Sequence, residues 1–101
     1  MEAYFKIKTP LGAEIRVTKD YWNYLITKKH TVMHGKEEIV IETLRDPDEI
    51  RRSIIDHSIF PYYKRHERLY CAVARHINGN GFLITAYPTD KDKEGETVWT
   101  K

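Results

Sequence analysis

Cysteine is almost absent from this chain, because Cys71 is the only one among its 101 residues. A lone cysteine excludes an internal disulfide framework. Its apolar neighbours, Leu69-Tyr70 and Ala72-Val73, predict a buried structural thiol rather than a nucleophile. This pattern is typical of a protein of the reducing cytoplasm, where we expect the chain to reside.

Long hydrophobic runs are also missing. The longest apolar stretches fall far short of the roughly 18 residues that indicate a membrane span, and Met1-Glu2-Ala3-Tyr4 lacks the features of a secretory signal. We therefore expect a soluble protein without a membrane partner. Because 101 residues, 41% of them hydrophobic, suffice for one core, the sequence predicts a single domain over residues 1–101.

A strong excess of one charge is lacking too. The net charge of +2 and the pI of about 8.6 are less basic than in domains that charge alone identifies as nucleic-acid binders. Local clusters are clearer, with basic residues at 28–30, 51–52 and 64–68 and acidic residues in the tail from 90 to 96. Solvated surface explains such clusters as well as a binding site does, so charge leaves both interpretations open.

The beginning of the chain carries hairpin and helix signals. The runs Tyr4–Lys8 and Ala13–Val17, joined by Thr9-Pro10-Leu11-Gly12, predict an opening β-hairpin. Thr18 is typical of a helix N-cap. The apolar residues that follow it at helical spacing predict a first helix with a basic end; they are Tyr21, Trp22, Leu25 and Ile26.

Two further helices are predicted before residue 58. Lys36–Arg45 has the apolar spacing of a helix, although Ile39-Val40-Ile41 also suits a short strand. Asp46 followed by Pro47 is a strong start signal, because proline at the first helical position loses no hydrogen bond. A short third helix is therefore expected, with Ile50, Ile54 and Ile55 on its buried side.

After about residue 58 the apolar period approaches two, which is typical of strands. Strands are predicted over 60–65, 68–77 and 82–87, with a tight turn at Asn78–Gly81 and a last edge strand at Val98-Trp99. If Ile77 pairs with Phe82, one mostly apolar face forms the core. The opposite face would carry Tyr70, Ala72, Ala74, His76, Leu83, Thr85 and Tyr87. The fold class is thus α+β, an N-terminal hairpin and helices followed by an antiparallel sheet.

Thr85 and Tyr87 suggest chemistry because residues two apart on a strand point the same way. They would place a hydroxyl and a phenol side by side. His30, Lys64 and Arg65 can supply a proton-transfer group and cations if the fold brings them close. An ordinary solvent-facing sheet explains the same pair, since Thr and Tyr both favour strands.

Four segments in a fixed order invite comparison with a known family. They are the helix from Trp22 that ends in Lys29-His30, Thr43–Ile50 leading to Ser53, Tyr62–Arg65, and Phe82–Tyr87 followed by a charged stretch and Trp99. This set resembles the ribonuclease toxins that share the barnase, EndoU and RelE (BECR) fold, especially their phage-associated branch. The resemblance covers most of the chain after residue 20. It implies a helical front, a sheet of about four strands, and metal-independent cleavage of RNA by 2′-OH attack.

The resemblance also implies site residues. The catalytic residues would be His30, Arg65, Thr85 and Tyr87, acting in turn as base or acid, phosphate ligand, phosphate-orienting hydroxyl, and proton donor or stacking ring. The candidate substrate-binding residues are Tyr63, Lys64, Tyr70 and His76. No metal and no cofactor are expected, and the expected partners are RNA and an antitoxin or immunity protein.

Three other readings of the chain remain open. His30 and His34 are four apart, as in some metal sites, but Gly35 ends any helix there and no acidic or cysteine ligand has matching spacing. A non-catalytic RNA-binding module would use Tyr63, Tyr70 and Tyr87 as stacking platforms. A small protein-interaction domain would not contact RNA at all.

Overall fold

A computed structural model describes residues 3–101, and over that range the chain forms seven strands and two α-helices. The strands are β1 (Phe5–Lys8), β2 (Glu14–Val17), β3 (Glu49–Arg52), β4 (Ile59–Arg65), β5 (Leu69–Ile77), β6 (Asn80–Pro88) and β7 (Glu96–Thr100). The helices are α1 (Lys19–Tyr24), which continues into a π-helical turn (Leu25–Lys29) and a 3-10 turn (Thr31–Met33), and α2 (Glu37–Arg45). The α+β class predicted from the sequence is confirmed.

All seven strands belong to one mixed sheet in the order β1-β2-β6-β5-β4-β3-β7. Each neighbouring pair is antiparallel except β2 and β6, which run parallel. The sheet is therefore larger than the four strands expected. The hairpin β1-β2 is not separate from the later sheet but extends it beyond β6.

The predicted hairpin, first two helices and edge strand are confirmed. Phe5 pairs with Val17 in the hairpin, and the Thr18 side chain caps α1 by accepting a 3.1 Å hydrogen bond from the backbone N–H of Tyr21. β7 lies at the sheet edge as expected. Within residues 3–101, no helix has both the length and the apolar character needed to cross a bilayer.

The third helix predicted after Asp46-Pro47 is wrong, because this segment forms β3. Ile50 pairs with Tyr62 on one side and with Trp99 on the other, and its side chain is fully buried. A helix of a few residues is marginal by itself, whereas these pairings satisfy the backbone on both edges. Asp46 is not the N-cap of a helix; its carboxylate accepts a 3.0 Å hydrogen bond from Lys101 Nζ instead.

The hydrophobic core lies on one side of the sheet, which we call the helix face. The sheet contributes residues from β1 to β6, and the helical segments contribute Trp22, Leu25, Met33, Val40 and Leu44. The opposite side, the open face, has no helix packed across its centre in the described residues. Cys71 lies on the open face and is only 1% exposed, so the predicted buried thiol is confirmed.

The register predicted for the β5-β6 hairpin is wrong. Asn78 and Gly79 have φ values of 49° and 84°, which suit a two-residue turn, and Ile77 therefore pairs with Asn80 rather than with Phe82. A β-bulge then makes Ile84 the extra residue, so Val73 pairs with Thr85. The predicted core face is also wrong, because the even-numbered residues of β5 are the ones that pack into the core; the core residues on β5 and β6 are Tyr70, Ala72, Ala74, Leu83 and Ala86.

The bulge exchanges the sides of the sheet to which the side chains in the last part of β6 point. Without it, Tyr87 would pair with Tyr70 on the helix face; with it, Tyr87 pairs with Cys71 on the open face. Thr85 is turned to the open face in the same way. One inserted residue thus determines on which side of the sheet the predicted catalytic pair lies.

Candidate active-site cleft

The bulge also fixes the helical front against the edge of β6. β2 pairs with β6 only up to Phe82, so the later part of this edge has no neighbouring strand among the described residues. There the backbone carbonyl of Ile84 accepts hydrogen bonds from the Tyr21 hydroxyl and, at 3.3 Å, from Lys29 Nζ. The end of the π-helical turn is therefore held beside β6.

His30 follows that turn and reaches Tyr87. The backbone N–H of His30 donates a 2.8 Å hydrogen bond to Leu25 O, which closes the wide π-type turn. The ring centroids of His30 and Tyr87 are 5.2 Å apart, with planes inclined by 34°. Both side chains line a cleft of about 520 Å³, together with Tyr63, Arg68 and the loop that follows β6.

The wall of the cleft is a row of side chains across the open face, in which Tyr63 and Tyr87 flank Cys71. Burial raises the pKa of the Tyr63 phenol and of the Cys71 thiol to about 12. Burial, together with the neighbouring Cys71 thiol, also raises the pKa of Tyr87 well above its usual value. All three groups are therefore protonated and uncharged at neutral pH.

The pKa of His30 is shifted in the opposite direction, to a lower value. Partial burial lowers its pKa below the ordinary value of 6.5, and the positive charge of the adjacent Lys29 lowers it further. The imidazole is consequently neutral at pH 7. In that state one ring nitrogen can accept a proton.

The loop after β6 is anchored by Glu49, which is the neighbour of Tyr63 in the same row. Its carboxylate accepts hydrogen bonds from Arg51 Nε at 2.8 Å, from Lys93 Nζ at 2.9 Å and from the Thr97 hydroxyl. Burial alone would raise the pKa of Glu49, but these three partners outweigh it and hold the pKa at about 2. The Glu94 backbone N–H adds a 3.0 Å hydrogen bond to the Tyr63 hydroxyl.

A second cleft, of about 700 Å³, adjoins the first across Arg68 and the same loop. Its charged lining consists of Arg51, Arg65, Arg68, Lys91 and Lys93 with Glu67, Asp90 and Asp92. Glu49 already engages Arg51 and Lys93. Arg65 and Lys91 have no ionic partner in the part of the chain that the structure describes, and Arg68 has only the highly exposed Asp90 at 3.7 Å. These three cations are available to an anion.

The structure brings some of the predicted site residues together. His30, Tyr63 and Tyr87 line the first cleft, and Arg65 lines the second. Thr85 points to the open face near Tyr87, but its hydroxyl is buried and has no hydrogen-bond partner among residues 3–101. It lines neither cleft.

Three predicted substrate-binding residues lie on the helix face instead. Lys64 Nζ donates a 2.9 Å hydrogen bond to Asp46 O, and the Tyr70 hydroxyl donates one of 3.0 Å to Glu67. His76 stacks on Phe60 at 4.0 Å and forms a 2.8 Å hydrogen bond with the Tyr62 hydroxyl. The structure does not bring these side chains to either cleft.

Arg68, Lys91 and Glu94 line the clefts, and the sequence did not single them out. Arg68 belongs to the basic cluster at 64–68, so the sequence did indicate a positively charged region there. Which member of that cluster faces the clefts depends on where β4 ends and β5 begins, and residue spacing alone does not determine this. Lys91 and Glu94 lie in a loop. A loop has no regular spacing of residues from which the orientation of a side chain can be predicted.

His34, at the end of the 3-10 turn, is exposed. Over residues 3–101, no three His, Cys, Asp or Glu side chains are grouped so that they can hold a metal ion.

Comparisons of the chain with models of protein families, with curated proteins and with solved structures find no match.

Proposed function

We propose that this domain is a metal-independent endoribonuclease of the toxin type that cleaves RNA by attack of its own 2′-OH. The observation that carries the proposal is the contact between His30 and Tyr87 at a cleft that Arg68 and Lys91 line, beside the carboxylates of Asp90, Asp92 and Glu94. The BECR arrangement remains a prediction, as does an antitoxin or immunity protein that covers this cleft. A cytoplasmic setting fits the reduced, buried thiol.

His30 is the proposed general base. Because its pKa lies below the ordinary value, most molecules carry a neutral imidazole at pH 7. This ring takes the proton of the 2′-OH while the 2′-oxygen forms its bond to phosphorus and the bond from phosphorus to the 5′-oxygen breaks. The products are a 2′,3′-cyclic phosphate and a free 5′-hydroxyl.

Tyr87 is the proposed proton donor to the departing 5′-oxygen. Its raised pKa keeps the phenol protonated over the whole physiological range. The departing alkoxide is a stronger base than a phenolate, so proton transfer to it is favourable. The proton held by His30 then returns to Tyr87 through water, and both residues recover their starting states.

Arg68, Arg65 and Lys91 are the proposed phosphate ligands. Negative charge grows on the phosphate oxygens during the attack, and cations placed at that point stabilise the transition state. Arg68 and Lys91 line both clefts and therefore border a phosphate held at His30 and Tyr87. Arg65, which lines the second cleft alone, would hold a neighbouring phosphate of the same strand.

The alternative of a non-catalytic RNA-binding module is less well supported. It requires exposed rings on which bases stack. Of its three tyrosines, Tyr63 and Tyr70 are each only 3% exposed, and Tyr70 lies on the helix face. The geometry therefore favours proton transfer at His30 and Tyr87 over base stacking on all three rings.

Incubation of the protein with a labelled RNA oligonucleotide in excess EDTA tests the proposal. An oligonucleotide of the same sequence built entirely from 2′-deoxyribose is the matched control, since it lacks the attacking group. We expect the RNA to be cut and the deoxy strand to stay intact. RNA that stays intact at high protein concentration, or equal cleavage of both strands, would overturn the proposal.

A further inference from the structure

An exposed aromatic ring lies on the open face outside both clefts. Phe82 is 43% exposed, and its cross-strand neighbours are Arg16 on β2 and Arg75 on β5. Lys6 on β1 is in turn paired with Arg16. Side chains of paired residues point to the same side of a sheet, so Phe82 is flanked by basic residues on both sides.

The charges around Phe82 are available to a ligand. Lys6, Lys8 and Arg16 are exposed and form no ion pair with any residue from 3 to 101. Glu14, paired with Lys8, is the acidic side chain on this part of the face. Arg75 differs, because Asp56 and Ser58 already hold its guanidinium.

We propose that Phe82, Arg16 and Lys6 form a platform that binds single-stranded RNA and extends the active-site cleft. Every base offers a flat face that stacks on a phenyl ring, and the two cations, which both lie on the β2-β1 side of Phe82, can hold phosphates of the same strand. The inference deepens the proposed function, on which its catalytic part rests. It names a single strand, whose bases are unpaired, as the substrate.

The platform and the cleft lie on the same strand and the same face. Phe82 and Tyr87 are five positions apart, and in a regular strand they would point to opposite sides. The bulge at Ile84 removes this difference, so Phe82 pairs with Arg75 and Tyr87 with Cys71 on one face. Arg75 and Cys71 are four positions apart on β5, which corresponds to roughly 13 Å.

The surface directly between the two sites is formed by the paired residues Val73 and Thr85, which are uncharged and half-buried. Glu94 borders this surface, because it lines a depression together with Val73 and Tyr87. A strand of a few nucleotides can therefore run along β6 with one base on Phe82 and a phosphate at His30. An RNA duplex cannot do so, because its bases are stacked on each other and are not free to lie on the ring.

Binding is measured by fluorescence anisotropy with a 2′-O-methyl RNA of about eight nucleotides, which the proposed reaction cannot cut. We expect Phe82→Ala to weaken binding at least about fivefold, and Phe82→Tyr, which keeps the ring, to leave it nearly unchanged. Arg16→Gln should weaken binding and reduce its salt dependence, whereas Arg45→Gln on α2 should do neither. Unchanged affinity in Phe82→Ala, or equal losses in Phe82→Ala and Phe82→Tyr, would overturn the platform.

A second measurement separates this proposal from the first. A dinucleotide is too short to occupy both sites, so Phe82→Ala should leave kcat/KM for a dinucleotide unchanged and lower it for the longer RNA. If the dinucleotide is cut but Phe82→Ala changes kcat/KM equally for both substrates, the platform is wrong and the nuclease proposal stands. If nothing is cut but binding depends on Phe82, the nuclease is wrong and the platform stands as an RNA-binding surface.

Discussion

The imidazole ring of His30 lies against the phenol ring of Tyr87, with the two ring centroids 5.2 Å apart. Two irregular features produce this contact. The bulge at Ile84 turns Tyr87 to the open face, and the π-helical turn ending at Lys29 brings His30 to the edge of the sheet. Bulges and π-type turns are frequent at functional sites, because each redirects a side chain without changing the fold.

Replacement of His30 by alanine should remove catalysis but not binding. Loss of a general base lowers kcat/KM by about 100-fold or more. The matched control is His34→Ala, since His34 is exposed and lines neither cleft. Steady-state cleavage of a fluorogenic RNA checks both variants. Equal effects of the two substitutions would show that His30 has no special role.

The pH dependence of cleavage should follow His30. A base acts in its neutral form, and its lowered pKa means that this form predominates already below pH 6.5. We therefore expect kcat/KM to rise with pH and to reach half of its maximum below pH 6.5. Because the pKa of Tyr87 is raised, no loss of activity is expected on the alkaline side up to pH 9. A half-maximal value above pH 6.5 would contradict the assignment of His30.

Tyr21 should act as a positioning residue through its hydrogen bond to Ile84 O. Tyr21→Phe removes this bond and loosens the turn that carries His30. We expect a lower kcat, a nearly unchanged KM, and a His30 pKa that moves back towards 6.5, as measured by NMR titration. Tyr24→Phe, half exposed on the same helix, is the control. A loss of stability with an unchanged His30 pKa would indicate a merely structural role.

Glu49 should stabilise the fold in a pH-dependent way. Because its pKa falls from 4.5 unfolded to about 2 folded, its contribution is complete above pH 4.5 and is lost as the pH falls to 2. Glu49→Gln should therefore lower the free energy of unfolding by about 1–3 kcal/mol at pH 7, as urea denaturation would measure. The difference from the unchanged protein should shrink between pH 4.5 and 2.

Glu96→Gln is the control for this prediction. Its side chain is 65% exposed, and its ion pair with Arg52 is long, at 3.9 Å. Exposed pairs of this kind contribute little to stability. If both substitutions had the same small effect, the anchoring of the loop by Glu49 would be refuted.

Much of the fold follows from local sequence signals. Thr18, the Thr9–Gly12 turn and the spacing of apolar residues in α2 act over short distances, and the structure agrees with each. β3 could not be predicted, because the strong local signal of Asp46-Pro47 is overridden by pairing of Ile50 with strands far away in the sequence. A strand read in isolation does not reveal such partners.

The candidate site was less predictable than the fold. The contact between His30 and Tyr87 depends on the bulge at Ile84, and no turn or period in the sequence marks that residue. Tyr70 and His76 were misassigned for another reason, because the alternation of residues along β5 does not reveal which of its two faces packs against the helical segments. The chemical role open to each residue could be inferred from its type. The side of the sheet to which its side chain points could be inferred only once the strand pairing was known.

The chemical ends of the RNA fragments test the central claim most directly. Mass spectrometry of an oligonucleotide treated in excess EDTA should show 2′,3′-cyclic phosphate on one fragment and 5′-hydroxyl on the other. Both should be lost in His30→Ala and strongly reduced in Tyr87→Phe. Intact RNA, or fragments with 5′-phosphate and 3′-hydroxyl ends, would contradict cleavage by the 2′-OH at His30 and Tyr87.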